Sequence, residues 1–147
     1  MKKFFVMVGM LLSMLFAAAF CVGCTPSEGV KVKATVQVTE TEIAIVVESV
    51  EGDAKLIDAM KALQEEGKLT FTTNGQGLIQ SINGKENDTV GWSQYWTLYI
   101  SDAELSDMTY GIEWNGQQLG FSNFGAEALP IVEGGVYVWS YYQSLPA

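Results

Sequence analysis

Histidine and arginine are both missing from the 147 residues, and each absence removes a class of chemistry. Imidazole is the side chain whose ordinary pKa lies near neutrality, so Ser-His-Asp, Cys-His and His-metal arrangements are excluded. Acid–base work would fall to carboxylates, lysine or tyrosine with displaced pKa values. Cysteine is scarce: Cys21 and Cys24 are the only two, both at the end of an N-terminal apolar run. With Cys24 committed to lipid, as argued below, no thiol is left for a disulfide framework, a thiolate metal site or a nucleophile. Positive charge is thin as well. Residues 24–147 carry 6 lysines against 17 carboxylates, a net charge of −11. Nucleic acid would need a basic footprint, so it is not an expected partner. The same deficit argues against electrostatic docking on an anionic bilayer.

What is present begins with a targeting pattern. Lys2 and Lys3 precede an apolar run from Phe4 to Phe20, and Cys21-Val22-Gly23-Cys24 closes it. Positive, apolar and small residues in that order predict an export signal over residues 1–23, outside the fold. Cys24 follows small Gly23 and precedes polar Thr25-Pro26-Ser27-Glu28-Gly29, which resembles a lipobox. Cys24 is therefore the expected lipidation site, with 24–29 as a short spacer. The third position upstream is Cys21 where leucine is usual. The alternative is an uncleaved anchor, since the run approaches the length of a bilayer span. Either way, residues 30–147 are expected outside the cytoplasm, tethered to the bacterial cell membrane, with lipid doing the anchoring.

Those remaining residues read as one domain. Val30 to Val38 alternates apolar with polar residues, and Ile43 to Val50 is β-branched; together they predict an N-terminal hairpin across Thr39–Glu42. Leu56, Met60 and Leu63 fall at helical spacing behind Asp53 as N-cap and before Gly67 as the stop. Lys68–Thr73, Gly77–Ile82, Trp92–Ile100, Thr109–Trp114, Gln117–Phe121 and Val136–Tyr142 read as strands. Asn74-Gly75, Asn83-Gly84 and Asn115-Gly116 mark hairpin turns, because both residues tolerate left-handed backbone. A hairpin, one helix and then antiparallel strands is an α+β order.

The second half of the chain differs from the first. All four Trp, all six Tyr, Phe121 and Phe124 lie beyond Trp92 inclusive, and from Glu86 onward there are eight carboxylates and no lysine. Strand alternation places Trp92, Trp96, Leu98 and Ile100 on one face and Tyr95 and Tyr99 on the other. In the last strand Tyr137, Trp139 and Tyr141 share a face, opposite Val136, Val138 and Tyr142. Bulky strand formers serve as core filler. Rings left exposed among carboxylates suit a sugar, stacked on a ring face, or a cation held over it. A Tyr- and Trp-rich protein contact has the same composition. The expected contact surface is Trp92, Tyr95, Tyr99, Tyr137, Trp139 and Tyr141. No EF-hand spacing occurs, and no metal or cofactor is expected. A pair of carboxylates for glycan hydrolysis stands as a further alternative, since their separation is not legible in sequence.

Four segments in order carry a resemblance: Leu56–Leu63, Ile79-Gln80-Ser81-Ile82-Asn83-Gly84, Tyr95-Trp96-Thr97-Leu98-Tyr99 and Glu133–Tyr141. Over about Asp53 to Gln143 the chain resembles the transcobalamin-like C-terminal domain family, frequent in bacterial surface lipoproteins. That resemblance implies a β-grasp-like fold and soluble-ligand binding, with a corrinoid as precedent. The chain departs from the family pattern at Ser101-Asp102, after the Tyr-Trp strand, and at Gly134-Gly135. With no histidine to ligate cobalt, a corrinoid would be held by its periphery. The reading is a non-catalytic binding domain for a small molecule such as a corrinoid or glycan, with a cell-surface adhesion or protein-interaction module as the alternative.

Overall fold

Alternating valines need an apolar wall to face, and the N-terminal hairpin, one edge of a six-stranded sheet, finds it in the core beneath that sheet. The structure is a computed structural model that describes residues 29–143; the expected signal and Cys24 lie outside them. Strands β1 (Lys31–Val38) and β2 (Glu42–Glu51) pair antiparallel around a turn closed by Thr39 and Glu42. Helix α1 (Leu56–Glu65) follows, then β3 (Phe71–Thr73), β4 (Ile79–Ile82), β5 (Lys85–Glu86), β6 (Gln94–Ile100), β7 (Ser106–Trp114), β8 (Gln117–Ser122) and β9 (Val136–Gln143). The large sheet has the order β1-β2-β9-β6-β8-β7, and β3-β4-β5 form a small second sheet. Every pairing is antiparallel. This is the expected α+β architecture: a hairpin, one helix and antiparallel strands, with the sheet drawn over the helix.

The helix begins later than its sequence pattern suggests. Asp53 is not the N-cap; Lys55 is, and the carboxylate of Asp58 reaches back to accept the Lys55 N–H at 2.8 Å. The freed N–H groups of Leu56 and Ile57 donate to the carbonyls of Leu129 and Ala126, so the 125–131 loop supplies what an N-cap side chain would. The C-terminus matches expectation. Gly67 adopts φ +72° and donates to Gln64, and Lys68 donates to Leu63, the paired bonds of a Schellman stop.

One continuous core lies between the inner face of the large sheet, the helix and the small sheet. It joins Ile43, Ile45, Leu56, Met60, Leu63, Ile82, Leu98, Ile100 and Trp139, with Ala126, Leu129 and Ile131 entering from the loop before β9. That loop was not foreseen as a core element. A second, smaller cluster of Ala44, Leu119, Val136 and Val138 lies on the opposite face of the sheet. Two of the Asn-Gly pairs are turns with both residues left-handed: Asn83-Gly84 (φ +48° and +80°) and Asn115-Gly116 (φ +47° and +77°). In the third, the Asn74 side chain accepts the N–H groups of Gln76 and Leu78, and Gly77 supplies the positive φ. In β7 the register jumps between Asp107 and Ile112, where Gly111 lies so close to Leu119 that an added Cβ would stand 2.2 Å from its carbonyl oxygen.

Candidate functional site

The six expected contact residues do not form one surface. β9 alternates, and its register with β6 and β2 decides which side is the core. Tyr137, Trp139 and Tyr141 pair with Ile100, Leu98 and Trp96 on the inner face. They are 2, 5 and 8 % exposed. Three of the four inner rings have hydrogen-bonded polar tips. Tyr141 donates to the Glu86 carbonyl at 2.8 Å, Trp96 Nε1 donates to the Lys85 carbonyl at 2.9 Å, and Tyr137 Oη accepts the Val132 N–H at 3.1 Å. Burial raises the Tyr137 pKa, and the Val132 N–H partly offsets the shift. Trp139 Nε1 has no partner among the described residues. Tyr141 and Trp96 thereby bolt strand β5 to the large sheet. Their placement corrects the expectation of an accessible Tyr137-Trp139-Tyr141 face: these rings are structural, because burying them joins the two sheets.

The outer face gathers a different set. Tyr95 stands opposite Tyr142, and Tyr99 opposite Phe121. Their ring centroids lie 5.1 and 6.2 Å apart, with interplanar angles of 38° and 80°. Trp92 joins them against strand parity, which had placed it beside Trp96. It lies before β6 with φ +52°, in the left-handed region that tryptophan seldom enters, and its ring meets Tyr95 at 6.3 Å and 72°. Trp92, Tyr142 and Phe121 are 59, 50 and 43 % exposed, and Tyr95 and Tyr99 are half-buried. Burial raises the Tyr99 pKa, and Tyr95 adds to the shift, so this phenol stays neutral well past neutrality.

Asp88 holds the loop that carries Trp92. Its carboxylate accepts the Ser93 hydroxyl at 2.6 Å and the N–H groups of Val90 and Gly91 at 3.0 and 3.1 Å. Its backbone carbonyl accepts the Trp92 N–H, and its own N–H donates to Gln94. The Ser93 hydroxyl first, then the Gly91 and Val90 amides, lower the Asp88 pKa to about 2, so it is ionised under ordinary conditions. Glu42 and Asp107 share the outer face, opposite Ser140 and Phe121 in the register. The nearest lysines of the hairpin, Lys31 and Lys33, sit on the edge strand and are engaged by Glu51 at 3.6 Å and Glu48 at 2.7 Å.

A cleft of about 190 Å³ opens between the β1–β2 turn and the β4–β5 turn, lined by Val38, Thr39, Ile43, Ile82, Asn83 and Trp96 among others. The Lys85 ammonium crosses its rim, hydrogen-bonded to the Glu40 carbonyl and 5.2 Å from the centroid of the Tyr141 ring. Among the described residues no group of three or more metal-ligating side chains converges, and no helix is long and apolar enough to cross a membrane.

Tyr142 and Phe121 belong to the outer strip and were not among the expected contact residues. The signal for Tyr142 was its parity opposite Tyr141; which side is the core was not in that signal. No protein-family model, curated protein or solved structure matches this chain.

Proposed function

We propose that this chain is a membrane-anchored, extracytoplasmic binding module that holds a small ligand without transforming it, and that the outer aromatic strip is its contact surface. The observation that carries the reading is Trp92, a large exposed ring kept at positive φ by the bonds that Asp88 makes along its loop. Left-handed backbone at a bulky residue costs of order 1–2 kcal/mol and recurs where a side chain must be presented. The missing histidine and the lack of any free thiol beyond the lipidated position favour recognition over catalysis. The location rests on the Lys2-Lys3 start, the apolar run and Cys24 as the lipidated residue. Membership of the transcobalamin-like family is part of the same proposal, resting on the order of its four motifs, and it brings corrinoids into the candidate ligands beside glycans.

A surface-protein partner is the second reading, favoured by one feature: the strip lies on an open sheet face rather than inside the cleft. Tryptophan fluorescence titration with corrinoids, oligosaccharides and peptides separates the two. A small-molecule response that disappears in Trp92→Ala and persists in Tyr141→Phe supports the first reading. A response to peptides alone, with the same dependence on Trp92, replaces it with the second.

A further inference from the structure

Ring orientation and local charge narrow the ligand class. A sugar stacks its C–H face on a ring, and an extended glycan does so best along coplanar rings. The rings of the outer strip are not coplanar. Trp92 and Tyr95 stand at 72° with centroids 6.3 Å apart, and Tyr142 closes on the other side of Tyr95 at 38° and 5.1 Å. Trp92 meets Tyr95 edge to face, so the ring faces left free by that contact open at a steep angle, and an ion seated over them would lie within about 6 Å of the centroids, the range of cation–π attraction.

The charges agree with the rings. From Glu86 to the end of the chain there is no lysine or arginine, so no resident cation competes for this angle from β6, β8 or β9. On the flanking β2 the charged residue on the same face is Glu42, opposite Ser140 and two residues along the strand from Tyr142. Asp88, at the base of the Trp92 loop, adds a second carboxylate. The one lysine near the aromatic half, Lys85, is on the inner side of the sheet against Tyr141. An anionic ligand would meet the like charge of Asp88 and Glu42 here, and a neutral one would gain nothing from it.

From these observations we propose that Trp92, Tyr95 and Tyr142 form the walls of a binding site for a small organic ammonium ion, with Asp88 and Glu42 supplying the complementary field. This rests on the proposed binding face and names its ligand chemistry. Trp92 and Tyr142 are the exposed walls, so the ion enters from solvent with no lid to open. Asp88 acts as a positioning residue: it holds the loop in the shape that aims the indole.

The test uses the full chain in a non-ionic polyoxyethylene detergent and three probes: choline, its neutral isostere 3,3-dimethylbutan-1-ol, and cellohexaose. Saturation-transfer NMR and tryptophan fluorescence report binding, and circular dichroism confirms that each variant is folded. Choline is expected to bind saturably, at least about tenfold tighter than the neutral isostere, and to lose that binding in Trp92→Ala and in Tyr95→Ala. Asp88→Asn is expected to weaken choline severalfold while the fold persists. Equal binding of choline and the isostere would overturn the proposal, because the site would then read shape and not charge. Cellohexaose binding that depends on Trp92, with choline inert, would also overturn it and leave the proposed binding face standing. Silence from all three probes overturns the ammonium assignment, and the corrinoid and peptide titrations above then decide the face itself.

Discussion

Tyr141 and Tyr142 are adjacent in the chain and meet opposite fates. Tyr141 points inward, packs at 4.9 Å and 52° against Trp96 and donates its hydroxyl to β5; Tyr142 points outward beside Tyr95 and is half exposed. Trp96 and Tyr95, their partners across the strand pair, divide in the same way. Two of the inner rings, Trp96 and Tyr141, have polar tips fixed by backbone carbonyls of the small sheet, so they bind parts of the protein to one another. The outer rings are braced by one another and, for Tyr99, by the smaller apolar cluster, while Trp92 stays mostly exposed. Residue type is the same on the two faces. What separates a structural aromatic from a candidate ligand contact is whether the second sheet lies over it.

The contrast is sharpest in stability. Trp139→Ala should cost about 3–5 kcal/mol, since it empties a site at the centre of the main core. Trp92→Ala should change stability by less than about 0.5 kcal/mol while abolishing ligand response. Urea unfolding of both variants measures the difference; comparable losses would mean that the outer ring is also structural.

Gly111→Ala is the next largest effect. The added methyl would meet the Leu119 carbonyl oxygen at 2.2 Å, so the β7–β8 pair must shift, at a cost of about 1–3 kcal/mol. An unchanged urea midpoint would show that the irregular stretch of β7 yields freely.

Removing a single hydroxyl separates the faces more finely. Tyr141→Phe leaves the Glu86 carbonyl without its donor and should cost about 0.5–1.5 kcal/mol. Tyr142→Phe, at an exposed position, should be neutral within about 0.5 kcal/mol. Thermal unfolding of the pair reads this directly, and equal shifts would erase the distinction.

The smallest effect is local and depends on pH. Folding lowers the Asp88 pKa to about 2, so its contribution is complete above the ordinary carboxylate value and is lost as pH falls through about 2. Asp88 is on the surface, so the change should be confined to the loop. The emission of Trp92 should hold steady from neutrality to about pH 4 and shift below it, and Asp88→Asn should show the altered emission at every pH. An emission change centred between pH 4 and 5 would contradict the bonding assigned to this carboxylate.

Much of the fold was legible because it depends on short-range rules. The alternating valines of β1, the helical spacing of Leu56, Met60 and Leu63, Gly67 at the helix end and the two left-handed Asn-Gly turns each express a local preference. The helix start was misplaced because its N–H groups are satisfied by Ala126 and Leu129, far along the chain. The candidate site was half legible. Parity correctly separated Tyr95 and Tyr99 from Trp96, and Tyr142 from Tyr141. It misassigned Trp92, because a left-handed residue breaks the alternation on which parity depends.

By itself, then, the sequence determined the α+β order, the acidic balance and the concentration of rings in the second half, since composition and local spacing are properties of the chain alone. Only tertiary structure decided which ring faces are free. That choice depends on where β5, the helix and the 125–131 loop come to rest against the large sheet, and on a register that pairs β9 with β2 and β6. Burial is a relation between distant segments, and no single segment encodes it.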